Sequence, residues 1–172
     1  MKPGTFIALT VACTLSHWAA AYGQDTLPAV IVTAANYKYL KIVGGKEVAA
    51  PVRKLERMAA SYDIRNSEYY EEDYDSYFIS FYLPEGVILA AYDKDGRLLR
   101  TAEKYHDIQL PPVISGGIAA AFPNWTITRD VYRVNYFDDS GKAVKRYKVV
   151  LKRGGRRMRV EMNERGEVVG GG

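Results

Sequence analysis

Phe122-Pro123-Asn124-Trp125 closes a short apolar helix, and the residues behind it decide the fold. Val113, Ile114, Ile118, Ala121 and Phe122 form one apolar helical face, opened by Leu110-Pro111-Pro112 and stopped by Pro123. Gly116-Gly117 weakens that helix by roughly 1 kcal/mol per glycine relative to Ala. The pair suits a helix packed closely on a sheet, where a side chain would be in the way. Three strands are expected next, with turns at Asp139-Ser140-Gly141, Arg153-Gly154-Gly155 and Asn163-Glu164-Arg165-Gly166. Tyr132, Val134 and Tyr136 share a face, as do Tyr147, Val149 and Leu151. Met158, Val160 and Met162 oppose Arg157, Arg159 and Glu161. Period-two alternation of this kind marks an antiparallel sheet with one buried and one wet side. Gly170-Gly171-Gly172 reads as a flexible end.

The same ending occurs earlier: Ala91-Tyr92-Asp93-Lys94-Asp95-Gly96-Arg97-Leu98-Leu99 echoes Glu161-Met162-Asn163-Glu164-Arg165-Gly166-Glu167-Val168-Val169. Upstream, residues 47–62 predict a helix whose stripe is Val48, Val52, Leu55, Met58, Ala59 and Tyr62. Arg53, Lys54, Glu56 and Arg57 are assigned to its other side. Strands follow at 77–83 and 87–92 across the turn Pro84-Glu85-Gly86. Another begins at Leu98 after a turn in which Gly96 supplies positive φ. Residues 27–34 read as a β-branched strand, and Asn36-Tyr37-Lys38-Tyr39-Leu40 as a second strand or extended linker. The class is therefore α+β: two helix-plus-antiparallel-hairpin units with their helices on one face of a sheet. The organisation is a signal peptide over 1–23, a strand and linker over 24–46, a first unit over 47–105 and a second over 106–172.

Residues 1–23 carry Lys2, an apolar run from Phe6 to Ala12 and the small-residue site Ala21-Tyr22-Gly23, which is the pattern of a secretory signal peptide. Cleavage after Gly23 makes the product periplasmic or secreted. The one cysteine, Cys13, falls inside the signal, in a poor lipidation motif; lipid anchoring there is not expected. The processed chain then has no disulfide, thiolate metal site or cysteine nucleophile. No later stretch approaches the ~18 apolar residues of a membrane span. Hydrophobic residues make up 48% of the 172, enough for a packed interior, and tyrosines outnumber phenylalanines 14 to 5. Tyrosine suits half-buried strand positions with the hydroxyl reaching water.

The net charge of +4 is unevenly spread. Glu71, Glu72, Asp73 and Asp75 lie in an acidic, tyrosine-rich loop, whereas 142–159 holds bases and no acid. Arg133, Lys148, Arg157 and Arg159, with Arg156 at the hairpin tip, form a candidate binding face for an unknown protein or an anionic envelope component. An anionic glycan, a lipid headgroup, a partner's acidic loop or the chain's own acidic loop would each complement it, the last also by self-association. An exported chain has no nucleic acid to meet. Asp25-Thr26-Leu27 fits a short O-glycosylation pattern.

Residues 110–169 resemble the PepSY-like, β-lactamase-inhibitor-like (BLIP-like) family of small exported proteins of Bacteroidota. The resemblance rests on Leu110-Pro111, Phe122-Pro123-Asn124-Trp125-Thr126-Ile127, Tyr147-Lys148-Val149 and Asn163-Glu164-Arg165-Gly166. It implies a non-enzymatic role in binding or inhibition. Ala35-Asn36-Tyr37-Lys38-Tyr39-Leu40 is similar to small flavobacterial proteins labelled nicotinate-nucleotide adenylyltransferase. Such enzymes orient triphosphate with a His-x-Gly-His motif, and the histidines here are His17 and His106 alone.

Chemistry is sparse. His106 beside Asp107 has no nucleophile elbow and too few companions for a zinc or copper site. The run Glu71-Glu72-Asp73-Tyr74-Asp75 lacks the spacing and central Gly of a calcium loop. No catalytic residue, metal ligand or cofactor is assigned. The reading is an exported binding or inhibitor-like module, the alternative an enzyme of unrecognised type using His106 or the acidic loop.

Overall fold

The computed structural model describes Val32 and residues 34–172 apart from Lys46. The signal peptide, Cys13, the glycosylation motif and most of the strand expected over 27–34 lie outside the described residues. Two helices, α1 (Ala34–Val43) and α2 (Ala50–Ser61), precede the strands β1 (Ser76–Leu83), β2 (Gly86–Asp93) and β3 (Leu98–His106). A third helix, α3 (Pro112–Ala121), leads into β4 (Thr126–Phe137), β5 (Lys142–Arg153), β6 (Arg156–Asn163) and β7 (Val168–Gly171). The strands form one antiparallel sheet in chain order, β1 to β7. The class is α+β.

Alternation sorts the side chains as expected. Tyr77, Ile88, Tyr105, Tyr132, Val134, Tyr136, Tyr147, Val149, Val160 and Met162 are buried on one face, in register across the sheet. The helices lie on that face. The Tyr92 hydroxyl donates to the Ala59 carbonyl of α2 at 2.6 Å, and the Tyr39 hydroxyl of α1 donates to Glu103 of β3 at 2.7 Å. Gly117 of α3 sits over Met162 of β6.

Two segments differ from the sequence reading. Residues 36–40 belong to helix α1, not to a strand or linker. Asn36, Tyr39 and Val43 fall at i, i+3 and i+7 and are buried, so tertiary contact overrides the β-preference of the tyrosines. The glycines at 170 and 171 end strand β7, which pairs with β6 through backbone bonds that need no side chain. Within α2, Val52, Leu55, Glu56, Ala59 and Ala60 are the buried residues; Met58 is exposed and Glu56 faces the core, the reverse of their expected sides.

The repeated ending is a repeated turn. Asp93 Oδ1 accepts from the backbone N–H of Asp95 and Arg97 at 3.0 and 2.9 Å, and Asn163 Oδ1 accepts from those of Arg165 and Glu167 at 3.0 Å each. Gly96 and Gly166 take φ of 80° and 77°. Each turn seats a helix. Asn36 Nδ2 donates to the Gly96 carbonyl at 3.1 Å and to Ala60 at 3.2 Å, while its Oδ1 accepts from the Leu98 N–H at 2.8 Å. At the other turn, α3 runs backbone against backbone: a Cβ on Gly166 would come within 2.5 Å of the Val113 carbonyl oxygen. Between them, Lys38 of α1 holds the β4–β5 turn through the Asp138 carboxylate at 2.9 Å and carbonyl at 2.7 Å.

The two helical glycines therefore separate. A Cβ on Gly117 would lie 2.5 Å from the Gly166 carbonyl oxygen and 3.0 Å from Met162 Cε, whereas one on Gly116 meets nothing within 4 Å. Gly117→Ala is expected to destabilise the protein by about 1–3 kcal/mol through overpacking. Gly116→Ala is expected to be neutral or to stabilise by up to about 1 kcal/mol through helix propensity. Denaturant unfolding of the two variants measures the difference.

Candidate functional site

The helices cover one face of the sheet, and among the described residues nothing covers the other. That open face is graded. From Phe78 to Tyr82 and from Val87 to Ala91 its outward positions hold no charge, and Phe78 and Tyr82 are 65% and 68% exposed. Leu89 lies opposite Ser80, diagonal to both rings, so the three form one apolar patch.

The outward positions of β3–β6 are rich in bases. Lys104, Arg133 and Arg146 stand directly opposite one another across β3, β4 and β5. Like charges at such sites destabilise a sheet, so this row is a cost the fold carries. One strand pitch away lie His106 and Lys148, and beyond them Arg129 and Arg159 flank Val150. Two adjoining hollows of about 430 and 560 Å³ share Arg129, Val150, Arg159 and Gly172 as walls. Glu161 is the one acid facing outward from β3–β6 among the described residues; it pairs with Lys148 at 3.3 Å and Arg146 at 3.6 Å. No side-chain hydrogen bond or ion pair among the described residues holds the guanidinium of Arg129, Arg133, Arg157 or Arg159.

The structure brings Arg133, Lys148, Arg157 and Arg159 onto this face and leaves Arg156 off it: Arg156 pairs with Arg153 at the hairpin tip with the parity of Met158 and Val160, which face the helices. The strand tyrosines lie on the buried face rather than beside the arginines, Tyr82 being the exception. Glu71, Glu72, Asp73 and Asp75 are exposed ahead of the edge strand β1. The basic tip at 153–156 is four strand spacings away, roughly 19 Å, and at the opposite end of the strands, so the two do not meet within one molecule. His106 ends β3 half exposed, its Nδ1 3.4 Å from Asp107. Among the described residues no group of three or more His, Cys, Asp or Glu is placed to hold a metal ion.

Under the helices lies a polar cluster that the sequence reading missed. Glu103 Oε1 accepts from the Tyr39 and Thr101 hydroxyls at 2.7 Å each, and its Oε2 from the Tyr105 hydroxyl at 2.8 Å. Glu56 of α2 is 1% exposed, and its Oε1 has no hydrogen-bond partner. Tyr105, Tyr132 and Tyr147 stack across three strands with ring centroids 5.9 and 4.4 Å apart. Burial raises the Glu103 carboxyl despite its three hydrogen bonds. Burial, then the neighbouring Glu103, pushes Glu56 up to about 8, with Lys145 and Arg53 opposing.

Folded Glu56 keeps its proton to about pH 8 against an ordinary value of 4.5. Between those limits folding takes up a proton, so stability falls as pH rises through the window and levels off above it, with a slope of up to about 1.4 kcal/mol per pH unit. Glu56→Gln removes this contribution. Urea unfolding from pH 5 to 9 is expected to show a shallower decline in the variant and a more stable protein at pH 8; an unchanged slope would place the titration elsewhere.

No described helix is long and apolar enough to cross a membrane. No family model, curated protein or solved structure matches the chain.

Proposed function

We propose that this chain is an exported, non-catalytic binding module of the cell envelope, PepSY-like in kind, which holds an anionic partner on the open face of its sheet. The observation that carries this is the Lys104–Arg133–Arg146 row: three cations placed side by side across neighbouring strands, beside Lys148, where β3–β6 turn one acid outward among the described residues, Glu161. A row that costs the fold stability in isolation gains it when an anion lies across the row. The signal-peptide pattern of residues 1–23, with cleavage expected after Gly23, supports a periplasmic or secreted location. Arg157 and Arg159 extend the face toward the β5–β6 hairpin.

Crosslinking in intact cells, followed by mass spectrometry of the captured material, tests the reading. The Arg133→Glu, Arg146→Glu double variant is expected to lose at least roughly tenfold of the wild-type capture, because rim and face charges govern encounter and hold a polyanion. Reversal of Glu71 and Glu72 to Lys, on the far edge, leaves capture unchanged. Equal capture by wild type and the arginine variant would sink the proposal.

A further inference from the structure

The geometry points to an anionic lipid surface as the partner, with the open face of the sheet lying on a bilayer; this rests on the binding-face reading above. The face has two halves that one bilayer plane would satisfy together. The β1–β2 half is uncharged outward from Phe78 to Tyr82 and from Val87 to Ala91, with Phe78, Tyr82 and Leu89 projecting as a contiguous patch. The β3–β6 half is cationic over three or more strands. Aromatic and aliphatic side chains next to a spread of lysines and arginines is the composition of surfaces that rest at a headgroup boundary. The rings enter the acyl margin, and the cations stay with phosphates at its level. The charge is also distributed in rows, with neighbours about 5 Å apart within a row and successive rows about 7 Å apart, which suits many small anions in a plane better than one deep anion. Protein interfaces are depleted of lysine at their centres, and Lys104 and Lys148 stand near the middle of this face. A bilayer needs no helix crossing it for such contact, and none of the described helices is long and apolar enough to cross one.

Sedimentation of the exported protein with vesicles tests the assignment. The vesicles are phosphatidylglycerol–phosphatidylcholine mixtures or phosphatidylcholine alone, and binding to soluble poly-glutamate is measured in parallel. The expected result is binding to phosphatidylglycerol vesicles and not to pure phosphatidylcholine, lost at 0.5 M salt. Arg133→Glu with Arg146→Glu lowers partitioning roughly tenfold or more, and Phe78→Ser with Leu89→Ser lowers it several-fold. Thermal unfolding confirms that these surface variants are folded. Vesicle binding indifferent to Phe78→Ser and Leu89→Ser overturns the inference, since charge attraction alone would not need the apolar half. Binding to poly-glutamate without vesicle binding overturns the lipid assignment and leaves the binding-face reading standing. Binding to neither removes both.

Discussion

Three short helices must cover one face of a seven-stranded sheet, and they are fixed to it largely at turns that share one end. β2, β4 and β6 run in the same direction, so the turns after them lie side by side. Asn36 fastens α1 to the first by two hydrogen bonds, and to α2 by a third, and Lys38 fastens α1 to the second through Asp138. Gly117 and Gly166 let α3 lie directly on the third. Asp138 is itself buried, yet hydrogen bonds from Lys38, Tyr136 and Arg97 outweigh desolvation and hold its carboxyl below the usual range. A charged, paired aspartate at this joint stabilises the fold at neutral pH, and that contribution is lost as pH falls through its lowered pKa.

Deeper in the layer the balance reverses. Glu56 and Glu103 lie together where burial disfavours charge, and the tyrosine hydroxyls around Glu103 satisfy its oxygens without supplying a counter-charge. Lys145 is the near cation from the sheet, and its amino group also lies 3.8 Å from Glu164. A carboxyl with an unmatched oxygen in a packed core costs about 1–3 kcal/mol in an ordinary protein. Protonation keeps that cost below the cost of a buried anion. The stacked Tyr105, Tyr132 and Tyr147 fill the space beside it. Among the interior tyrosines, the hydroxyls of Tyr39 and Tyr105 turn to Glu103, that of Tyr136 to Asp138 and that of Tyr92 to the Ala59 carbonyl.

The strands were legible because a half-buried antiparallel strand writes its two faces into alternate residues, and Tyr132 to Tyr136 and Met158 to Met162 do so without interruption. The turns were legible because only a few residue types tolerate their backbone: Gly96 and Gly166 sit at positive φ in the same Asx-braced loop. Helix α1 was hidden by tyrosines that favour strands in isolation, although Asn36, Tyr39 and Val43 carry helical spacing. Glu56 was hidden by its charge: Val52, Leu55, Glu56 and Ala59 form a regular i, i+3, i+4, i+7 stripe, and the carboxyl interrupts only its polarity. The glycine half of strand β7 left no side-chain signal, because glycines pair through backbone alone. Of the candidate face, alternation placed Arg157 and Arg159 opposite the core, but which cations become neighbours depends on register across strands far apart in sequence. The uncharged β1–β2 half could not be seen as part of the same surface until the strands were paired.

That register is what separates a solvated basic surface from a binding one. Lysines and arginines scattered over a sheet relieve one another by spacing and by intervening acids. Here Arg146 and Lys148 share Glu161, the one acid that β3–β6 turn outward among the described residues, and no ion pair among those residues reaches Lys104 or Arg133. The opposite arrangement was sterically open: Asn135, Val131 and Val150 occupy the same face at intermediate positions and would accept a carboxylate without disturbing the core. A sheet whose outward acids are thinned this far, next to exposed aromatic rings on its uncharged edge, is less stable alone than one with alternating charges. It recovers that stability against a surface that supplies the missing negative charge and an apolar margin together.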